Sequence, residues 1–125
     1  MREFVYKDGK AELKFSLPHS KYTSSFKIDT GASLTALHAD EFKKFFPSKD
    51  IEDIMDGKYI CLHSASGHRM EGYTHKVLIK VAGCKKNLMM DICFYNGLRA
   101  LLGMDMIQKH FKMCFEKDKY FVKVN

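Results

Sequence analysis

Phe26-Lys27-Ile28-Asp29-Thr30-Gly31-Ala32-Ser33 is the stretch on which the fold turns. Tyr22, Ser24, Phe26 and Ile28 share one phase of a period-two pattern, the mark of a strand with one face turned inward. That strand ends on a carboxylate, Asp29. Gly31 lets the backbone turn sharply and approach another group closely. Thr30 offers a hydroxyl able to tie two such loops together, and Ser33 a further donor near the carboxylate. Lys27 interrupts the apolar approach to Asp29 and is tolerated if it faces outward between Phe26 and Ile28. Taken alone, Asp-Thr-Gly reads first as an ordinary turn between two elements, because tripeptides recur by chance.

Working outward, the surroundings are mostly short strands. Ala11 to Leu17 alternates apolar and polar residues strictly, and Asp8-Gly9 before it is a turn signal that would join it to Phe4-Val5-Tyr6 as a hairpin. The helical signal lies between Ala39 and Phe46, where Phe42, Phe45 and Phe46 fall at i, i+3 and i+4. Asp40 and Glu41 stand in its first turn, and Pro47 closes it. A weaker short helix is expected from Asp50 to Met55. Tyr59–His63 and Tyr73–Val81 read as strands flanking a polar tip of small residues, Ser64-Ala65-Ser66-Gly67-His68. Leu88–Tyr95 is another strand, followed by the short apolar run Ala100-Leu101-Leu102-Gly103 and a helix over Met104–His110. Phe111–Phe115 and Tyr120–Val124 flank Asp118-Lys119 as a terminal hairpin. Many short strands with one or two short helices predict a mainly β (all-β) fold.

Composition narrows the class. The chain has 125 residues, enough for one domain (1–125) with a core of its own, and 46% are hydrophobic with Gly 8 and Pro 2, which excludes disorder and low-complexity polymers. Apolar runs are too short to span a membrane, and Arg2-Glu3-Phe4 after Met1 does not read as a secretory signal. Cys61, Cys84, Cys93 and Cys114 are widely and irregularly spaced and read as reduced thiols, so a cytoplasmic setting is expected. The net charge of +6 comes from basic residues spread along the chain. It reads as a solvating surface, and nucleic acid is not the expected partner.

About seventy residues beyond Asp29, Leu101-Leu102-Gly103-Met104-Asp105-Met106-Ile107 places two bulky apolar residues and a glycine before a short helix. With that second element the chain resembles the retroviral-type (retropepsin-like) aspartic proteases. Their pattern is an apolar strand into Asp-Thr/Ser-Gly-Ala-Ser/Thr, a glycine-bearing flap hairpin, then apolar-apolar-Gly leading into a helix. The match in order and spacing runs from about Tyr22 to Phe115. The resemblance implies a single-lobe acid-protease β-barrel and an aspartic endopeptidase with Asp29 as catalytic residue. It implies active-site loop support from Thr30, Gly31, Ala32 and Ser33, and a flap over peptide or protein substrate at Ala65, Ser66, Gly67 and His68. Leu101, Leu102 and Gly103 would pack behind the Asp loop. No cofactor and no metal is expected.

Hydrolysis by this route needs two carboxylates around one water, and the chain holds a single Asp-Thr-Gly; neither Asp91-Ile92-Cys93 nor Asp105-Met106-Ile107 supplies a second. An active enzyme of this kind is therefore a homodimer. The strand Phe121-Val122-Lys123-Val124 is a candidate for the sheet that joins the two copies. Departures from the viral pattern are the glycine-poor flap tip and the Phe-rich helix. Rival readings are a metal site at Cys61, His63, His68 and His75, whose spacing matches no zinc pattern, and a cysteine nucleophile without a local signature. A further alternative is a non-catalytic dimeric peptide-binding or assembly module of the same fold.

Overall fold

The computed structural model describes residues 1–63 and 66–125. Among the described residues ten strands and two α-helices follow one another: β1 Arg2–Val5, β2 Glu12–Ser16, β3 Thr23–Ile28, β4 Ala36–His38, α1 Phe42–Phe45, β5 Lys58–His63, β6 Arg69–Val81, β7 Asn87–Tyr95, β8 Leu101–Leu102, α2 Met104–His110, β9 Phe111–Phe115 and β10 Lys119–Val124. Single 3₁₀ segments at Ala39–Glu41 and Ile51–Asp56 complete the list. The mainly β architecture read from the sequence is borne out.

Seven strands lie in the order β2-β3-β8-β4-β7-β6-β5, and β2 also pairs with β6, so six of them close into a barrel with β5 hung on its rim. Two joins are parallel, β3 with β8 and β4 with β7. These bring the end of the Asp29 strand beside Leu101-Leu102, far apart in sequence. Alternation decides the interior: Leu13 and Phe15 of β2, Phe26 and Ile28 of β3, and Val77, Ile79 and Val81 of β6 are buried. Phe15 and Phe26 stack with ring centroids 4.1 Å apart, and Phe42 of α1 meets Phe94 edge-on at 5.4 Å. The Phe-rich helix is thus a lid on the barrel core, its i, i+3 pair Phe42 and Phe45 facing inward.

The first hairpin expectation is corrected. Asp8-Gly9 does form a two-residue turn, with φ of 51° and 74° and paired bonds between Lys7 and Lys10. The strands on either side of it then part: β2 enters the barrel, whereas β1 pairs with β10 in a separate sheet of order β1-β10-β9. Tyr120 is the reason. Its ring lies against Phe4 and Tyr6, and its hydroxyl accepts from Glu12 N–H and donates to Glu12 C=O, which fastens the small sheet to the barrel. The arrangement makes β10 the middle strand, so its edges are already filled; the open edges belong to β1 and β9.

Candidate active site

Asp29 stands one residue beyond β3, where the ladder with β8 holds the backbone. Asp29 N–H donates to Leu102 C=O at 3.0 Å, and Ala32 N–H returns to Asp29 C=O at 3.1 Å, closing a tight loop. The Gly31 amide donates to Asp29 Oδ1 at 3.0 Å. One carboxylate oxygen is therefore anchored, while the half-buried side chain stays open to the surface. Thr30 is exposed and its hydroxyl has no hydrogen bond among the described residues. Ser33 is exposed too. Its carbonyl takes the Asp105 N–H at 3.3 Å, but its hydroxyl makes no bond to Asp29.

Leu101, Leu102 and Gly103 lie behind this loop, with Leu102 and Gly103 buried. A Cβ on Gly103 would sit 2.3 Å from Leu34 C=O, so only glycine allows the two segments to cross this closely. Met104 N–H reaches Ala32 C=O at 2.8 Å. Beneath the crossing is a residue the sequence reading passed over. Thr35, 1% exposed, accepts Gly103 N–H at 3.0 Å and donates to Asp105 Oδ1 at 2.8 Å. Its only sequence signal is a hydroxyl within the apolar run Leu34-Thr35-Ala36-Leu37, where a buried polar group must find partners.

Strands β5 and β6 form the expected long hairpin, in register from Lys58 opposite Thr74 to His63 opposite Arg69. Ser66, Gly67 and His68 are exposed at its end, and Gly67 takes a left-handed φ of 85°. Ala65 lies outside the described residues. Leu62, His63 and Met70 of the hairpin face Gly31, Ala32, Ser33, Leu34 and Leu101 across a cavity of about 290 Å³. The hairpin is thus one wall of a cleft whose other wall is the Asp29 loop. Asn96, also passed over, holds β6 near the hairpin's tip. Its side chain accepts Glu71 N–H and donates to Arg69 C=O, and its own N–H donates to Glu71 C=O, each at 3.1 Å.

Among the described residues no three His, Cys, Asp or Glu side chains are grouped to hold a metal ion. His75 is packed against Phe42 and Phe46 with Nε2 2.7 Å from Ile54 C=O, and Cys61 Sγ accepts from Arg69 Nε at 3.2 Å. Burial pushes the Cys93 thiol up, away from the thiolate a cysteine nucleophile requires. Among the described residues no helix is long and apolar enough to cross a membrane.

Neither a family model nor a curated protein matches the sequence. Among solved structures the chain is similar to a retropepsin-like aspartic protease from Rickettsia conorii, with 18% identity over 98% of this chain and 99% of that one, and a TM-score of 0.69. The fold is the retropepsin-like one.

Proposed function

We propose that the chain is an aspartic endopeptidase, active as a homodimer in which each copy contributes Asp29. The observation that carries this reading is a carboxylate anchored through one oxygen by the Gly31 amide, in a loop that forms one wall of a cleft opposite a hairpin, in a chain with a single Asp-Thr-Gly. Two such loops facing each other about a two-fold axis supply the pair of acids that one loop lacks. Close like charges cannot both ionise, so the pair holds one proton between them. The ionised member takes a proton from the water that attacks the scissile carbonyl. The protonated member polarises that carbonyl and then delivers a proton to the leaving amine. Thr30, exposed beside Asp29 with an uncommitted hydroxyl, is placed in this reading to bond across the axis. Ser66, Gly67 and His68 close over the peptide backbone and exclude water. The four cysteines are all free thiols, in keeping with a reducing, cytoplasmic setting.

Replacing Asp29 by Asn removes the shared proton and leaves the shape intact. Asp29→Asn is expected to fold and dimerise like the parent and to cleave no peptide; cleavage at the parental rate would overturn the proposal. Parental activity should follow a bell-shaped profile centred where the pair holds one proton, on the acidic side of neutral.

A further inference from the structure

Two hollows of opposite character lie on either side of the segment that pairs with the end of the Asp29 strand. On the hairpin side the wall is apolar, built from Leu34, Leu62, Met70 and Leu101. On the other side a cavity of about 260 Å³ is lined by Lys10, Glu12, Ser25, Lys27, Arg99 and Ala100. The two are joined through one segment, since Arg99 and Ala100 immediately precede Leu101.

Strand alternation places the second hollow beside the carboxylate. Phe26 and Ile28 point into the core, so Lys27 and Asp29 share the opposite face, one strand repeat of about 7 Å apart. Lys27 N–H donates to Ala100 C=O at 2.8 Å, which brings the 99–100 segment alongside. A neighbouring cavity lined by Lys10, Lys27 and Ile28 also takes in Thr30, so the cations border the Asp29-Thr30 loop itself.

The charges of this hollow are left over from folding. Lys44, Arg69, Lys76 and Lys119 are each neutralised by an acidic side chain, whereas among the described residues Lys10, Lys27 and Arg99 form no ion pair. Glu12 faces Lys27 in the β2–β3 ladder and offsets one of the three cations. The balance stays positive. A peptide side chain entering here meets two or three hydrated cations and the Ser25 hydroxyl. An apolar side chain would strip their water without replacing it, while a carboxylate replaces it with charge-assisted hydrogen bonds.

We propose that this hollow is a cationic substrate subsite and that the peptides this chain acts on carry Asp or Glu close to the scissile bond. The inference rests on the endopeptidase reading for its chemistry. Two-fold pairing sets one cationic hollow on each side of the Asp29 pair, so acidic residues are selected on both sides of the cut.

The test offers one proteome-derived peptide library to five proteins: the parent, Lys27→Leu/Arg99→Ala, Lys27→Arg, immobilised Asp29→Asn, and Asp29→Asn carrying the same two changes as the double variant. Cleaved and retained peptides are read by mass spectrometry, and circular dichroism and sedimentation verify that each variant folds and assembles as the parent does. The expected result is enrichment of Asp and Glu by about tenfold near the parental cut sites and in peptides retained by Asp29→Asn, lost in both double-changed proteins and retained in Lys27→Arg. Cleavage without acidic enrichment, or with enrichment unaltered by the two changes, overturns the subsite and leaves the endopeptidase reading standing. Acidic enrichment in the retained peptides without cleavage by the parent supports the subsite and overturns the endopeptidase reading. Neither cleavage nor enrichment overturns both.

Discussion

Thr35 Oγ1 joins segments that are 68 and 70 residues distant in sequence, Gly103 and Asp105, and through them sets the depth at which the Asp29 loop sits. Thr35→Val keeps the shape but leaves the buried Gly103 N–H unpaired. A loss of about 1–3 kcal/mol in unfolding free energy is expected by urea titration, with Thr35→Ser recovering most of it. A valine variant as stable as the parent would show that the hydroxyl carries no such bond. Residue-scale legibility follows the same division. Asp29, Gly31 and the Leu101-Leu102-Gly103 run were readable because their constraints are local: a strand end, a tight turn, a close crossing. Thr35 was not, because its partners become neighbours only after β3, β4 and β8 have paired. Lys27 was noticed as an interruption, yet its meaning came from the cavity it shares with Lys10 and Arg99.

Elements were legible wherever periodicity was strict. The alternation of Ala11–Leu17, the Phe spacing before Pro47 and the helix over Met104–His110 all have counterparts within a residue or two. Partnership was less legible than existence: the Asp8-Gly9 turn is present, but Tyr120 draws β1 to β10. Towards its tip the β5–β6 hairpin is held by Asn96, whose three bonds to Arg69 and Glu71 extend the β6–β7 ladder. Asn96→Ala removes the two side-chain bonds. Hydrogen exchange of the Glu71 amide should quicken by about tenfold relative to the rest of β6, a local opening without global unfolding. Equal protection in the two proteins would show that the Asn96 side chain does not hold this end of β6. At the other end of β3, Tyr22 donates to Glu41 at 2.7 Å and ties the strand to the lid helix. Burial first, then that bond, pushes the phenol up to about 12 from 10.0. The folded state thus keeps the proton to higher pH than the unfolded chain. The associated stability is present below pH 10.0 and is lost as pH rises from there towards 12. Urea midpoints should fall less steeply over that window in Tyr22→Phe than in the parent, and parallel curves would refute the linkage.

At the scale of the whole molecule the two numbers that define the chain, 125 residues and +6, acquire positions. The chain holds one Asp-Thr-Gly, so in the proposed enzyme the second acid comes from another copy. Because β10 is already flanked by β1 and β9, a shared sheet has only the β1 or β9 edge to offer, where Val5 and Phe115 are exposed. The charge is spread in sequence but partly gathered in space: Lys10, Lys27 and Arg99, without ion pairs among the described residues, line one cavity, and Lys10 and Lys27 share another with Thr30. Specific activity is therefore expected to fall on dilution as dimers separate. Preference for acidic peptides should weaken as ionic strength rises, whereas cleavage governed by the apolar hollow alone would keep its selectivity in salt. Neither assembly nor selectivity is written in any short motif; both depend on what a single lobe leaves unfilled.

If one active site needs Asp29 from two chains, mixing subunits must reveal it. Parent protein at fixed concentration is exchanged with increasing amounts of Asp29→Asn, and peptide cleavage is measured after equilibration. Random pairing into dimers with at most one intact acid predicts that about ninefold excess of the variant lowers cleavage to about a tenth. Cleavage that stays constant as the variant is added, with mixed dimers verified by mass spectrometry, would contradict it.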